Sequence, residues 1–154
     1  MESRIHLKAP FSWQQNIWGR IWQQHQQQRL AHAYLLCGER GLGKRQFAQA
    51  LCNLLLCESP VDARPCGGCR SCQLIRAGSH PDCQFVEPEN GSRVLKVDQI
   101  RNISSHIAKT SHSGGRKLVI LDPVDSMNMS AANALLKTLE EPSGDSVLLL
   151  VSDN

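Results

Sequence analysis

The sequence predicts an α/β fold in which helices flank a mostly parallel sheet. Three short segments, at 33–37, 117–121 and 147–151, are almost wholly apolar, which is typical of strands buried on both faces of a parallel sheet. Other segments repeat apolar residues at the period of about 3.6 residues that marks a helix with one buried face. The chain has 154 residues, enough for one such domain with a sizeable core.

Composition and charge narrow the class of protein. The net charge of +3 and the isoelectric point near 8.5 permit contact with nucleic acid but do not indicate a dedicated DNA-binding protein. No apolar run approaches the roughly 20 residues that span a bilayer, so we expect a cytoplasmic protein without membrane association. Seven cysteines are an odd number for a disulfide framework, and in a reducing compartment a tight cluster of them indicates a metal site.

The first helix is expected to be capped by Ser12 and to carry three tryptophans. The helix places Trp13, Ile17 and Ile21 on one stripe, with Trp18 and Trp22 beside it. Core packing is the favoured interpretation of the three tryptophans, since large apolar side chains are usually buried. The glutamine-rich segment 23–28 should be a solvated helix end. His25 and His32 are interpreted as surface or capping residues rather than ligands.

A glycine-rich loop follows the strand at 33–37, in which Cys37 is expected to belong to the core. The spacing Gly38-x4-Gly43-Lys44 fits a phosphate-binding loop, because backbone N–H groups and a helix N-terminus together bind anions. Arg45 stands where such loops carry the serine or threonine that holds Mg²⁺. The candidate nucleotide-binding residues of this loop are Gly38, Gly41, Gly43, Lys44 and Arg45. The helix predicted at 45–56 buries Phe47, Ala50, Leu51, Leu54 and Leu55, whereas Cys52 has no assigned role.

The strongest chemical signal is the spacing Cys57-x8-Cys66-Gly-Gly-Cys69-Arg-Ser-Cys72. Four thiolates suit tetrahedral Zn²⁺, and the glycines between them permit tight turns. Four protein ligands leave no open position, so the zinc site should be structural rather than catalytic. Four free surface thiols are the disfavoured alternative, because exposed thiolates at this spacing would invite oxidation. The metal would hold an irregular insertion at about 57–77 that has little apolar material of its own.

The middle of the chain contains a short helix, a strand and a longer helix. The helix at 73–77 should end at Gly78 as a C-cap, and the strand should span Cys83–Val86. His80, which precedes a proline, is interpreted as a turn residue rather than a base, since no nucleophile accompanies it. After a turn, Asp98 is expected to cap a helix with one apolar face, formed by Ile100, Ile103 and Ile107.

The strand at 117–121, which follows a polar loop at 110–116, ends at Asp122, the last candidate residue of the nucleotide site. An aspartate at this position of a phosphate-loop protein orients Mg²⁺. An active ATPase of this type would continue with a glutamate that activates water, but Pro123 follows here. Both departures, at Arg45 and at Pro123, therefore fall on the machinery of hydrolysis.

The last helix is predicted over 131–141, capped by Ser130 or Asn128 and ended by Pro142. Its apolar face should consist of Leu135, Leu136 and Leu139. Glu140 and Glu141 end the helix at the negative end of its dipole, where acidic side chains are unfavourable. Because nothing local compensates for this unfavourable placement, the two glutamates mark a candidate functional surface.

Four features together resemble the bacterial clamp-loader subunits of the AAA+ class, and the resemblance extends from about Trp13 to the end. They are the phosphate loop, the four-cysteine spacing, Gly78-Ser-His-Pro-Asp82 and Asn133-Ala-Leu-Leu-Lys-Thr-Leu-Glu-Glu-Pro142. Motor subunits of this family, called gamma/tau, are expected to have Gly-Lys-Thr in the loop and Asp-Glu after the second strand motif. Gly43-Lys44-Arg45 and Asp122-Pro123 are instead similar to the delta-prime or stator branch.

The resemblance implies a subunit of the DNA polymerase III clamp loader that works beside gamma/tau and delta, in the bacterial cytoplasm at the replisome. That assembly uses ATP to place the sliding clamp on primed DNA. This chain should bind structural Zn²⁺, bind ATP or ADP weakly or not at all, and have little or no hydrolysis and no catalytic residue of its own. Residues 1–154 should form a truncated AAA+ domain whose sheet is incomplete at its C-terminus. The lid, the collar and the arginine-finger region are expected after residue 154.

Two alternatives remain open. An active gamma/tau-like ATPase that tolerates Arg45 would show Mg²⁺-dependent nucleotide binding. A zinc-ribbon DNA-binding module is less favoured: the cysteine region has some positive charge, from Arg64, Arg70 and Arg76, but no aromatic residues interleave for base stacking.

Overall fold

A computed structural model describes residues 10–109, 115–141 and 144–154. In these segments, four parallel strands form one sheet in the order β1-β4-β3-β2, with β1 (Ala33–Cys37), β2 (Cys83–Val86), β3 (Lys117–Leu121) and β4 (Ser146–Ser152). The helices are α1 (Gln15–Gln26), α2 (Lys44–Leu56), α3 (Arg70–Ala77), α4 (Val97–Ala108) and α5 (Met129–Glu140). The predicted α/β fold with a parallel sheet is confirmed.

The two central strands, β3 and β4, are buried along their whole length. Alternate residues point to opposite faces of the sheet. One face packs against α1, α2 and α3, and the other against α4 and α5. Both faces are therefore covered, which explains why these strands carry continuous apolar runs rather than an alternating pattern. Among the described residues, no helix combines the length and apolar character needed to cross a membrane.

Strand β1 differs from this pattern because it lies at the edge of the described sheet. It pairs with β4 through partners such as Leu35 and Leu150, and no described strand pairs with its other side. Leu35 is 59% exposed and Cys37 is also exposed. The prediction that this strand is buried on both faces, with Cys37 in the core, was therefore wrong.

The N-terminal helix buries a different set of residues from the predicted one. Ser12 lies in a short 3-10 turn, Ser12–Gln14, and makes no capping hydrogen bond, so the expected cap was wrong. Trp18 and Ile21 are buried, and Trp18 packs edge-on against Phe47 with 5.7 Å between ring centroids. Trp13 is 63% exposed, and the buried stripe also leaves out Ile17. Core packing is thus confirmed for Trp18 and partly for Trp22, which lies against the core, but not for Trp13.

Helices α2 and α3 follow the predictions closely. All five predicted core residues of α2 are buried, and the fully buried Cys52 contacts Cys83, a packing role that its position off the stripe had hidden. Helix α3 begins three residues before the predicted start. It ends at Gly78, whose φ of +74° is the left-handed conformation that favours glycine at a helix C-cap.

Helices α4 and α5 pack against each other on the second face. The three predicted isoleucines of α4 are buried, but the helix begins at Val97 and Asp98 lies in its first turn, so Asp98 is not the N-cap. Asn128 caps α5, accepting a hydrogen bond of 2.9 Å from the Ala131 N–H. Leu135 is buried, whereas Leu136 is 53% exposed, contrary to prediction. Pro142 and most of the polar loop, residues 110–114, lie outside the described residues.

Candidate functional site

The glycine-rich loop between β1 and α2 adopts the conformation that its glycines permit. Gly41 and Gly43 have φ values of +89° and +81°, in the left-handed region that disfavours residues with a Cβ atom. Gly43 also lies so close to Phe11 that a Cβ atom there would be 2.5 Å from the ring. The loop is held from the other side by Gln14, whose Nε2 donates to the Leu42 and Gly43 carbonyls at 3.2 Å each.

Lys44, the lysine of the loop motif, is largely buried, with 10% of its side chain exposed. Its ammonium donates to the Gly38 carbonyl, to the Glu39 carbonyl at 3.3 Å, and to Asp153 Oδ1 at 3.0 Å. Asp153 Oδ2 accepts a hydrogen bond of 3.2 Å from Arg40 Nε. The hydrogen bond from Lys44, and then the one from Arg40, lower the pKa of Asp153.

Arg45 and Asp122, two further predicted site residues, form an ion pair with each other. Arg45 Nε donates to Asp122 Oδ2 at 2.7 Å, and the Asp122 side chain is only 11% exposed. The Arg45 guanidinium lies over the Phe85 ring, 4.8 Å from its centroid, and 3.9 Å from a Glu87 carboxylate oxygen. The arginine is thus fixed by β2, by the residue after β3 and by the loop after β2.

These residues surround an open cavity of about 490 Å³. Its lining includes five of the six predicted nucleotide-site residues, namely Gly41, Gly43, Lys44, Arg45 and Asp122, while Gly38 contributes its carbonyl to Lys44. At the rim, Phe11 and Trp13 stack with 5.0 Å between ring centroids, and Trp13 Nε1 donates to the Leu42 carbonyl at 3.1 Å. The sequence predictions missed Asp153, which also lines the cavity. Its one detectable signal was its place at the carboxyl end of a parallel strand.

The four cysteines predicted as metal ligands lie together, and their sulfur atoms are all within 4.8 Å of one another. A tetrahedral site with metal–sulfur bonds of about 2.3 Å requires sulfur–sulfur distances of about 3.8 Å. Cys66 and Cys72 are 3.9 Å apart, and Cys57 and Cys69 are 4.0 Å apart. Two opposite edges of the expected tetrahedron are therefore already at the required length, and this cluster could hold a metal ion.

Backbone N–H groups surround these sulfur atoms. The Cys66 N–H donates to Cys57 Sγ at 3.2 Å, and the Gly67 N–H donates to Cys72 Sγ at 3.3 Å. Such donors favour the thiolate form that binds metal. At Cys66, the Gly68 N–H is the largest cause of a pKa lowered to about 6. At Cys57 and Cys72 burial is the larger effect and raises the pKa, so the N–H donors favour the thiolate at Cys66 but do not outweigh burial at these two sulfur atoms.

His80 connects the cysteine segment to the sheet. The ring is buried, its Nδ1 accepts a hydrogen bond of 3.0 Å from the Asp82 N–H, and its Nε2 lies 3.2 Å from Ser71 Oγ in α3. Because Nδ1 is an acceptor, Nε2 carries the proton in the neutral ring and donates to the serine. This arrangement agrees with the interpretation of His80 as a turn residue rather than a base.

Comparison with known proteins points to one family. The family model described as "DNA polymerase III, delta subunit" matches residues 13–154. The DNA polymerase III subunit delta' of Pseudomonas aeruginosa is 49% identical over 142 residues, which are 92% of this chain and 42% of that protein. The subunit delta' of Haemophilus influenzae is 36% identical over 148 residues, which are 96% of this chain and 45% of that protein.

A solved structure shares the fold. The crystal structure of a gamma subunit-related protein of DNA polymerase III from Thermotoga maritima superposes with a TM-score of 0.58, at 20% sequence identity, over 90% of this chain and 38% of that one. At this identity the likeness concerns the fold alone. The chain spans less than half the length of the subunits delta' of Pseudomonas aeruginosa and Haemophilus influenzae.

Proposed function

This chain belongs to the DNA polymerase III delta subunit family, and we propose that it serves as a stator of the clamp loader, a subunit that supports sliding-clamp loading onto primed DNA without hydrolysing ATP itself. The family membership supplies the biological setting. The chemistry of the loop supplies the second part of the proposal, because the groups that hydrolysis requires are either replaced or engaged elsewhere.

The ion pair between Arg45 and Asp122 carries this proposal. In phosphate-loop enzymes, Mg²⁺ is held by the serine or threonine of the loop and by an aspartate after a neighbouring strand. Here a guanidinium occupies the first position and donates to the aspartate at 2.7 Å. A fixed positive charge at this distance opposes binding of a divalent cation at the same carboxylate. Pro123 supplies no group to activate water, so stabilisation of the transition state should fall by several kcal/mol.

An ATPase assay on the full-length protein tests the proposal. We expect no turnover above background for the wild-type protein assayed alone, in the absence of the gamma/tau motor subunits. Arg45→Thr should also remain inactive, because Pro123 is unchanged. Arg93→Thr is a matched control, since Arg93 is exposed and outside the cavity. Mg²⁺-dependent turnover by the wild-type protein at the rate of a motor subunit would refute the proposal and favour a gamma/tau-like ATPase.

We also propose that residues 57–77 form an inserted module that four thiolates hold around one structural Zn²⁺. The two sulfur–sulfur distances near 4 Å and the surrounding N–H donors support it. Metal analysis of the full-length protein should find one zinc per chain. Cys69→Ser should abolish stoichiometric zinc, whereas Cys37→Ser, which removes an exposed thiol outside the cluster, should not. A metal-free protein with unpaired thiols would refute this proposal.

Direct partners are proposed to be gamma/tau and delta. The domain boundaries remain a prediction: an AAA+ domain over residues 1–154, with lid and collar domains after residue 154. A pull-down with full-length protein, purified delta and purified gamma/tau tests the partner assignment. We expect both subunits to be retained. Retention of neither would refute it, and a parallel pull-down in chelator would show whether the metal module takes part in the contact.

A further inference from the structure

Asp153 occupies the position of an anion at the glycine-rich loop. Its two carboxylate oxygens meet the two cations of the loop, Lys44 at 3.0 Å and Arg40 at 3.2 Å. It comes from the far end of the chain, directly after β4, and it lines the same cavity as the loop residues. A carboxylate with two oxygens that accept from an ammonium and a guanidinium resembles, in negative charge and in its paired acceptor oxygens, the phosphate group that such loops bind.

The contacts leave Lys44 no capacity for another anion. An ammonium group has three N–H donors. In this structure they meet three acceptors: the Gly38 carbonyl, the Glu39 carbonyl and Asp153. A phosphate oxygen could reach the lysine only by displacing one of them, and Asp153 is the one whose charge it would replace.

Asp153 is itself held in place. Its N–H donates to Asp125 Oδ2 at 2.7 Å, and the Ser152 hydroxyl donates to Asp125 Oδ1 at 2.8 Å. Asp125 lies in the short 3-10 turn that follows β3, Val124–Ser126. The carboxylate is therefore anchored at the end of β4 and to the turn after β3. Its partner Lys44 has only 10% of its side chain exposed, whereas Arg40, 87% exposed, makes a surface contact. Anchoring of this kind reduces the entropy lost when the ion pair forms.

We propose that Asp153 closes the loop to nucleoside polyphosphates by serving as the internal counter-ion of Lys44 and Arg40. This inference rests on the proposed non-hydrolysing function. It adds a reason why the loop would not bind nucleotide, which the presence of Arg45 in place of serine or threonine does not by itself supply. The Arg45–Asp122 ion pair opposes binding of Mg²⁺, whereas Asp153 opposes binding of the phosphate. Replacement of the carboxylate by a neutral side chain should leave a buried cation without its charge partner, and polyphosphate should then bind.

The test measures equilibrium binding of ADP to the full-length protein without Mg²⁺, so that the Arg45–Asp122 pair does not affect the result. Asp153→Asn should bind ADP at least tenfold more tightly than the wild type. Glu39→Gln is the matched control: it removes one negative charge from the same loop, and the Glu39 carboxylate makes no described hydrogen bond or ion pair. Its affinity should stay within about twofold of the wild type, since only a general electrostatic effect remains.

Equal affinities of Asp153→Asn and Glu39→Gln would overturn the inference, as would tight ADP binding by the wild type. Asp125→Ala provides a second route, because it removes the anchor and leaves the carboxylate; it should tighten ADP binding at least threefold. If Asp153→Asn does not fold, failure of Asp125→Ala to tighten binding overturns the inference. ATP turnover by the wild type would instead refute the proposed function, so the two failures are distinguishable.

Discussion

Gly43 offers a direct test of the loop geometry, through its replacement by alanine. The residue has a φ of +81°, and the added Cβ atom would lie 2.5 Å from Phe11 Cε2 and 2.9 Å from Phe11 Cδ2. Gly41, in the same loop, has a φ of +89° but no heavy atom within 4 Å of the corresponding position. Alanine at these two positions therefore meets similar backbone strain but very different steric surroundings.

The two substitutions should differ in cost. The left-handed conformation costs an alanine roughly 1–2 kcal/mol, so Gly41→Ala should lower the free energy of unfolding by about 1 kcal/mol. Gly43→Ala carries the same cost and must also displace an aromatic ring that is stacked on Trp13, an overpacking term of about 1–3 kcal/mol. We therefore expect Gly43→Ala to cost about 2–4 kcal/mol in total.

Urea unfolding followed by circular dichroism at 25 °C measures both costs. In a Phe11→Ala background the ring is absent, so the extra cost of Gly43→Ala over Gly41→Ala should fall to near zero. The double-mutant cycle isolates this contact from the backbone term. Equal costs for the two glycine substitutions, or an extra cost that persists without the ring, would refute the described packing of Phe11 on the loop.

Two further predictions concern the helices. Asn128→Ala should lower the free energy of unfolding by about 1 kcal/mol, because it removes the cap of α5, while the exposed Ser130→Ala should change it by less than about 0.5 kcal/mol. Burial, and next the positive charge of Arg116, lower the pKa of His25 below 6.5. The unfolded chain therefore binds this proton more readily, and stability should decline as the pH falls below 6.5. His25→Gln should make that decline shallower in urea unfolding at several pH values.

Each of these predictions has an outcome that contradicts it. Equal costs for Asn128→Ala and Ser130→Ala would mean that the α5 cap contributes nothing to stability. Identical slopes of stability against pH for the wild type and His25→Gln would mean that another group, and not this histidine, accounts for the acid sensitivity.

Much of the fold could be predicted because a strand buried on both faces of a sheet has a recognisable sequence pattern, a continuous apolar run. The runs that became β3 and β4 are apolar throughout, and the isoleucines of α4 recur at helical spacing, so the pattern and the environment agree. The four cysteines could be grouped for a related reason: three of them lie within seven residues at the start of α3, and the fourth ends the preceding helix. Local spacing therefore carried most of this information.

The failures share a different physical cause. Periodicity shows which residues fall on one face, but not whether another element covers that face. Leu35 lies in an apolar run but on an edge strand, and Leu136 and Trp13 lie beside buried stripes but face outward. The contact of Lys44 with Asp153 joins residues 109 positions apart, and no local pattern signals it. It follows from the parallel topology, which places the end of β4 beside the loop after β1.

The two ion pairs of the cavity make separable contributions to our proposal. Arg45 supplies a positive charge where a nucleotide complex would place a metal, and Asp153 supplies a negative charge where it would place phosphate. Asp153→Asn alone should therefore admit polyphosphate without creating metal-dependent turnover, because the guanidinium still opposes Mg²⁺ at Asp122. Arg45→Thr alone should leave the lysine engaged and ADP binding unchanged. Binding that responds to the first substitution and not to the second would support separate roles for the two pairs, one for the anion and one for the metal.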